Sequence, residues 1–374
     1  MLPYGRQSIS AADIAAVTAV LQGDWLTTGP AVSAFEAAIS ELAGGHRAVS
    51  CTSGTAALHI AYAALGVGPG DEVVTTPMTF VATASCAAVL GAKVVFADVD
   101  PDTALIDPAA VEAVTTDRTK VIAAVDYAGQ AADYAALQTV ADRVGARTLA
   151  DAAHSIGGSA DGRPVGDLAD VTTMSFFPTK NLTTGEGGAV VCKDPAVGQR
   201  AHEFHFIGLV RDPDRFELTD EGPWHQEVHE YGVNYRLTDL GAALGLSQLS
   251  RLAAFKQRRA EITARYNAAF QGVDGLRTPV QRAGVDPAWH LYPIRVLDGR
   301  RREIFERMRA AGIGVQVNYI PVYWHPVFAR QGYSRGLCPN AETFYAEELS
   351  LPLYPDLTDN DVDRVIETLT GVVS

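Results

Sequence analysis

Between residues 48 and 191, short runs of β-branched residues alternate with Ala-rich stretches whose apolar positions recur at helical intervals. The runs at 72–75, 93–97, 121–125, 147–149, 171–176 and 189–192 read as strands, and 55–65, 81–90 and 134–144 as the helices between them. Strand, helix, strand repeated in this way predicts an α/β domain on a mostly parallel sheet, with ligand sites in the loops at the carboxyl ends of the strands. Residues 247–270 read as one long connecting helix whose basic cluster faces solvent. Past Gly272 the texture changes to a smaller α+β unit, with a strand near 290–296, a helix at 301–311, a short strand near 314–319 and a closing helix from Asp359. The expected division is therefore residues 1–250 and 251–374, the boundary falling within 245–275. The stretch 208–231 is long, polar and aromatic, more than a connector needs, and points to binding or subunit contact.

Composition narrows the function. With 47% apolar and 20% charged residues among 374, the chain has a sizeable core and is neither disordered nor repetitive. Its 30 basic against 44 acidic residues give a net charge of −14, which repels polyanions and argues against nucleic acid as a partner. The four cysteines are dispersed and read as reduced thiols. No basic leader precedes an apolar stretch, and no run approaches the ~18 apolar residues of a membrane span. The expected location is the cytoplasm, with no membrane partner. The histidines show no metal-binding spacing with a carboxylate.

Candidate chemistry sits just after predicted strands. Lys180, in Ser175-Phe-Phe-Pro-Thr-Lys180, is placed where an amine can form a Schiff base with an aldehyde such as that of pyridoxal 5'-phosphate and shuttle protons between carbons. Taken alone it reads as a surface lysine in a Gly-rich turn, as most lysines are. Asp151 follows the preceding strand; a carboxylate there can keep a pyridine nitrogen protonated, or can simply cap a helix. Gly54, Thr55 and Ala56 open a helix after the strand at Ala48, so their N–H groups and the helix dipole can receive a phosphate, although an ordinary capped turn looks the same.

Six motifs in order carry a resemblance across nearly the whole chain. They are Ser53-Gly-Thr-Ala-Ala-Leu58, Pro77-Met-Thr-Phe80-Val-Ala-Thr83, Asp151-Ala-Ala-His154-Ser155, Ser175-Phe-Phe-Pro-Thr-Lys180, Gly185-Glu-Gly-Gly188 and Gly232-Val-Asn234-Tyr-Arg236-Leu-Thr-Asp239. In these the chain resembles the DegT/StrS-type pyridoxal-phosphate-dependent sugar aminotransferases of fold type I. The resemblance implies that Lys180 binds the cofactor aldehyde, that Asp151 pairs with the ring nitrogen, and that Gly54, Thr55, Ala56 and Ser175 hold the phosphate. It further implies that Phe80 covers the ring face, that His154 stands beside the 3-oxygen in place of a more usual Gln, and that Asn234 reaches the partner subunit's cofactor phosphate. The expected active unit is a homodimer, and the expected donor L-glutamate. The working amine needs a lowered pKa, expected from burial and a nearby cation.

Within that family, the segments Leu2–Ser8, Trp25–Pro30, Thr183–Gly188, Arg211–Pro213, Gly222–Trp224, Ala242–Gln248 and Tyr319–Pro326 are similar to the enzymes that aminate UDP-4-keto-6-deoxy-N-acetyl-L-altrosamine at C4 in pseudaminic acid synthesis. Asn318 and Tyr323 depart from the histidines often found there, and Asn181-Leu182 is the wording of the broader family. The implied substrate is a nucleotide sugar, with Tyr4, Trp25, Thr28, Gly29, His325 and the loop before Tyr231 as candidate sugar contacts. Other readings are an aminotransferase for a dTDP or GDP ketosugar or a cyclitol ketone, and a cofactor-bound regulatory protein.

Overall fold

The computed structural model describes residues 1–218 and 220–373. A seven-stranded sheet forms its centre: β1 (Arg47–Cys51), β2 (Glu72–Thr75), β3 (Lys93–Phe96), β4 (Thr119–Val125), β5 (Arg147–Asp151), β6 (Val171–Ser175) and β7 (Gly188–Cys192). Across the sheet the order is β1-β7-β6-β5-β4-β2-β3. Only β7 is antiparallel to its neighbours; every other strand runs the same way. Val73 and Val74 face opposite cores, and β2, β6 and β7 are buried at every position, as strands with helices on both faces must be.

The helices in this part are α1 (Ala11–Leu21), α2 (Pro30–Leu42), α3 (Gly54–Ala64), α4 (Ala82–Val89), α5 (Pro108–Val114), α6 (Tyr134–Val144), α7 (Pro195–His205), α8 (Asp239–Leu249) and α9 (Leu252–Phe270). Side-chain caps start several of them: Ser53 at α3, Asp133 at α6 and Thr238 at α8 each accept a backbone N–H of the first turn. The C-terminal part is an antiparallel sheet of β8 (Leu276–Arg277), β9 (Tyr292–Val296) and β10 (Glu348–Leu351), covered by α10 (Arg301–Ala310) and a closing helix, Asp359–Val373. Val285–Asp286 pairs back onto Ser159–Ala160. The N-terminus is sewn to this part too, through Leu2 N–H to Gly312 O (2.8 Å) and Gly314 N–H to Leu2 O (2.7 Å).

Three expectations change. The helix predicted over 247–270 is two helices, α8 and α9, parted at Ser250–Arg251. Ser250 donates its hydroxyl back to Ser247 O (2.6 Å), and the Arg251 guanidinium is drawn off to Asp13 (3.1 Å) and Ser8 (2.8 Å). Its basic cluster is not all solvated, because Arg259 is buried and donates to Leu353 O (2.8 Å). The strand predicted near 314–319 is reduced to an isolated bridge between Gln316 and Ser350, with a cis peptide at Asn318–Tyr319. In the 208–231 stretch, Leu209–Val210 pairs with Glu227–Val228, and the Glu227 carboxylate accepts from the Glu217 and Leu218 N–H groups and contacts His225 and His229. Among the described residues, no helix is long and apolar enough to cross a membrane.

Candidate active site

The carboxyl ends of β5 and β6 lie side by side, with Asp151 opposite Thr173 in the parallel register. A cavity of about 690 Å³ opens there, lined by Tyr4, Gly54, Thr55, Phe80, Asp151, His154, Ser175, Lys180, His290, Gln316, Asn318 and Tyr319, among others. Eight of the candidate site residues, and Asn318, thus meet in one place.

Lys180 is carried by the turn after β6, which closes on itself through Lys180 N–H to Phe177 O (2.9 Å) and Phe176 N–H to Gly187 O (2.8 Å). The next residue anchors the turn from below: Asn181 donates to His154 O (3.2 Å) and Ala288 O (2.7 Å). Burial lowers the Lys180 ammonium to about 8, against the opposing pull of Asp151. The expected low value is present, but burial produces it and no cation contributes.

Asp151 is buried; its carboxylate accepts from Thr83 Oγ1 (2.7 Å) and Ala153 N–H (3.2 Å). Burial still raises its pKa, with those two donors and Lys180 working the other way. An ionised Asp151 therefore calls for one more positive or donating group on the cavity side. Thr83, from α4, is a supporting residue missed in sequence reasoning, although it ends one of the six motifs.

His154 is buried, its Nε2 3.2 Å from the Tyr319 hydroxyl and its ring centroid 4.4 Å from that of His290. Burial, then the charge of Lys180, holds it well below the ordinary histidine pKa. It is a neutral imidazole. Its Nδ1 is buried without a partner among the described residues. His290 and Tyr319 join the candidate residues in the cavity; Tyr319 opens the Tyr319–Pro326 segment, while nothing in the local sequence marks His290.

The mouth of α3 has the form of an anion cradle. A Cβ on Gly54 would lie 2.7 Å from Ser175 Cβ, so only glycine allows the turn to approach the end of β6 this closely. Ala56 departs from expectation, because its N–H is taken by Ser53 Oγ (3.0 Å). Gly54 and Thr55 are left with first-turn N–H groups to offer. Phe80, 58% exposed, stands at the cavity wall.

Other candidates lie elsewhere. Trp25, Thr28 and Gly29 line a second cavity of about 600 Å³ with Arg211 and Arg236. Gly29 is structural in this chain: its N–H donates to buried Asp239 (2.8 Å), which also holds Ala31 N–H (2.9 Å), and a Cβ there would strike Trp25. His325 lines neither cavity and opens the short helix Pro326–Ala329. Asn234 is exposed, bridged to Phe206 and outside the Lys180 cavity.

The seven-stranded sheet with one reversed strand brings a lysine and a carboxylate into one cavity at adjacent strand ends, an arrangement suited to Schiff-base chemistry. Residues 7–370 match the DegT/DnrJ/EryC1/StrS aminotransferase family, and the chain belongs to it. It is 40% identical over 379 residues to the spore coat polysaccharide biosynthesis protein SpsC of Bacillus subtilis (strain 168), covering 100% of this chain and 97% of that protein. Among solved structures it superposes on the putative sugar aminotransferase Spr1654 of Streptococcus pneumoniae in its PMP form, with TM-score 0.94 and 30% identity over 100% of this chain and 99% of that one. It also superposes on Helicobacter pylori PseC, an aminotransferase of pseudoaminic acid biosynthesis, with TM-score 0.92 and 29% identity over 99% and 98%. The architecture is that of a fold type I aminotransferase, and its cofactor is pyridoxal phosphate. The cavity suits that group: a low-pKa amine, a buried carboxylate in need of a cationic partner, an unpartnered imidazole nitrogen and a glycine-lined cradle.

One consequence is measurable. For Lys180 as the candidate cofactor-binding amine, capture of the aldehyde requires the neutral form, so the rate at which apoprotein gains cofactor absorbance should rise as pH passes about 8. A midpoint near the ordinary lysine value of 10.5 would contradict the burial of that amine.

Proposed function

We propose that this chain moves an amino group from L-glutamate to C4 of a nucleotide-linked 4-keto-6-deoxy sugar, a UDP-4-keto-6-deoxy-N-acetylhexosamine. The observation that carries the reading is the pairing of a low-pKa Lys180 with a buried Asp151 in one cavity of about 690 Å³. Bound pyridoxal phosphate supplies an aldehyde that takes up amines and a ring that withdraws electrons from the carbon losing its proton. Lys180 anchors the group and, once displaced, carries a proton from one carbon to another. Asp151 keeps the ring nitrogen protonated, Gly54, Thr55 and Ser175 hold the phosphate, Phe80 covers one face, and neutral His154 donates to the 3-oxygen.

The choice of sugar is supported by the likeness to PseC and by the N-terminal and Tyr319–Pro326 motifs. The cavity takes His290, Gln316, Asn318 and Tyr319 from the part beyond residue 250, so substrate sits between the units 1–250 and 251–374. The active unit is a homodimer. Exposed Asn234, and the second cavity with Trp25, Thr28, Arg211 and Arg236, face the partner's site in this reading. Four free, buried cysteines accord with work in the cytoplasm.

The test is amine formation with L-glutamate across UDP-, dTDP- and GDP-linked 4-ketosugars and an inosose. Preference for the UDP-4-keto-6-deoxy-N-acetylhexosamine is expected. Preference for another member overturns the substrate assignment, and amination of none overturns the sugar aminotransferase reading for this chain.

A further inference from the structure

Behind the cavity wall lies a chain of hydrogen bonds that ends at a carboxyl group sealed from solvent. Asn318 is held on every side. Its N–H donates to Glu348 Oε2 (2.7 Å), its carbonyl accepts from the Tyr127 hydroxyl (2.5 Å), and its Nδ2 donates to both Ser350 Oγ (3.1 Å) and the Tyr4 hydroxyl (2.8 Å). The Ser350 hydroxyl donates in turn to Glu348 Oε1. Glu348 is wholly buried. Tyr4 and Asn318 line the cavity, whereas Glu348 and Ser350 do not.

We propose that Glu348 is a positioning residue for the amino acceptor: through Ser350 and Asn318 it sets whether the Tyr4 hydroxyl meets the substrate as a donor or as an acceptor. The proposal rests on reading this cavity as the sugar site. With Glu348 ionised, both of its oxygens accept, and the Ser350 proton is committed to Oε1. Ser350 must then accept from the Asn318 amide nitrogen, and that same nitrogen fills a lone pair of Tyr4. The Tyr4 proton is left for the cavity. With Glu348 protonated, Asn318 N–H still occupies Oε2, so the acid proton on Oε1 points at Ser350. The Ser350 proton turns to the Asn318 amide oxygen, the amide rotates, and Tyr4 donates to the same oxygen. Tyr4 then offers the cavity only lone pairs.

The switch is poised for use. Burial raises the Glu348 pKa to about 8, with the Ser350 and Asn318 donors and the more distant Arg301 charge favouring the ionised form. The other titratable groups around it are Arg295, its cross-strand partner, whose guanidinium is committed to Glu347 (2.7 Å) and Pro101 O (2.8 Å), and the phenols Tyr4, Tyr127 and Tyr319, all of which burial pushes above the ordinary tyrosine value. The phenols remain neutral throughout and only relay polarity.

The experiment is the acceptor half-reaction of cofactor-loaded enzyme, amino form, with UDP-4-keto-6-deoxy-N-acetylhexosamine and then the rest of the ketosugar panel, from neutral to alkaline pH. One hydrogen bond gained or lost predicts a change of about 3–10-fold in KM for the ketosugar, centred at about 8. Glu348→Gln fixes the proton pattern of the neutral acid, so its KM profile should lose that component, and so should Tyr4→Phe, which has no hydroxyl. Lys180 titrates in the same range but affects kcat in every variant alike, so the split between KM and kcat separates the two. Ser350→Ala breaks the relay a second way and serves if Glu348→Gln does not fold. KM profiles of the variants that superimpose on wild type overturn this inference alone. A wild type that aminates no ketosugar overturns the functional reading and this inference with it.

Discussion

Lys180→Ala protein is expected to fold, to lack the near-visible absorbance band that borohydride abolishes in wild type, and to lose amino transfer by at least ~10²–10⁴-fold, the range for removing a proton-transferring group. The loss should exceed that range where anchorage fails as well, because the same amine serves both purposes. Stability should not fall in parallel. A half-buried ammonium whose pKa is pulled down to about 8 is held in its charged form at a cost to the fold. The check is single-turnover kinetics beside thermal unfolding of the apoprotein. Equal cofactor binding and turnover in the variant and wild type would remove Lys180 from the reaction.

Asp151→Asn separates function from stability more sharply. Turnover should fall by ~10²–10³-fold, the scale seen on removing one preorganised electrostatic partner, because an amide cannot take the role proposed for Asp151 of keeping the ring nitrogen charged. The apoprotein should be at least as stable as wild type at neutral pH. The sign follows from the direction of the shift: burial raises the folded-state pKa of Asp151 above its ordinary value, so ionisation costs folding free energy as pH rises through that interval. An asparagine retains an acceptor for Thr83, gives up only the longer Ala153 N–H contact (3.2 Å), and carries no buried charge. Single-turnover assays with L-glutamate and apoprotein melting curves measure the two sides. Undiminished turnover would show that the carboxylate is a helix-end or packing residue and nothing more.

Local chemistry made much of this legible. Residues 72–75 and 134–144 were bounded as they occur, since one is a short β-branched run and the other an amphipathic stretch between Asp133 and Gly145. Lys180 and Asp151 could be paired because Asp151 closes β5, Lys180 sits in the turn after β6, and those strands are neighbours in the sheet. What stayed hidden depends on contacts between distant segments. Tyr4 meets Asn318 only because the N-terminus is laced to Gly312 and Gly314. His290 arrives beside His154 from just before β9, and no periodicity announces it. Trp25-Leu-Thr-Thr-Gly-Pro30 carries two signals at once: its Gly is demanded by the Asp239 carboxylate and by the close approach of Trp25, while Trp25 and Thr28 line the second cavity rather than the Lys180 cavity. The break between α8 and α9 was equally invisible, because it depends on Ser8 and Asp13 capturing Arg251.

The reversed strand β7 has an implication for biosynthesis. β1, made early, has no sheet neighbour other than β7, so as the chain leaves the ribosome its edge stays unsatisfied until residues 188–192 have emerged. The same strand joins β1 to β6 and thereby brings the Ser53–Gly54 turn against Ser175. Such long-range closure is slow, and a nascent chain halted before β7 would lack both a complete sheet and the close approach of Gly54 to Ser175.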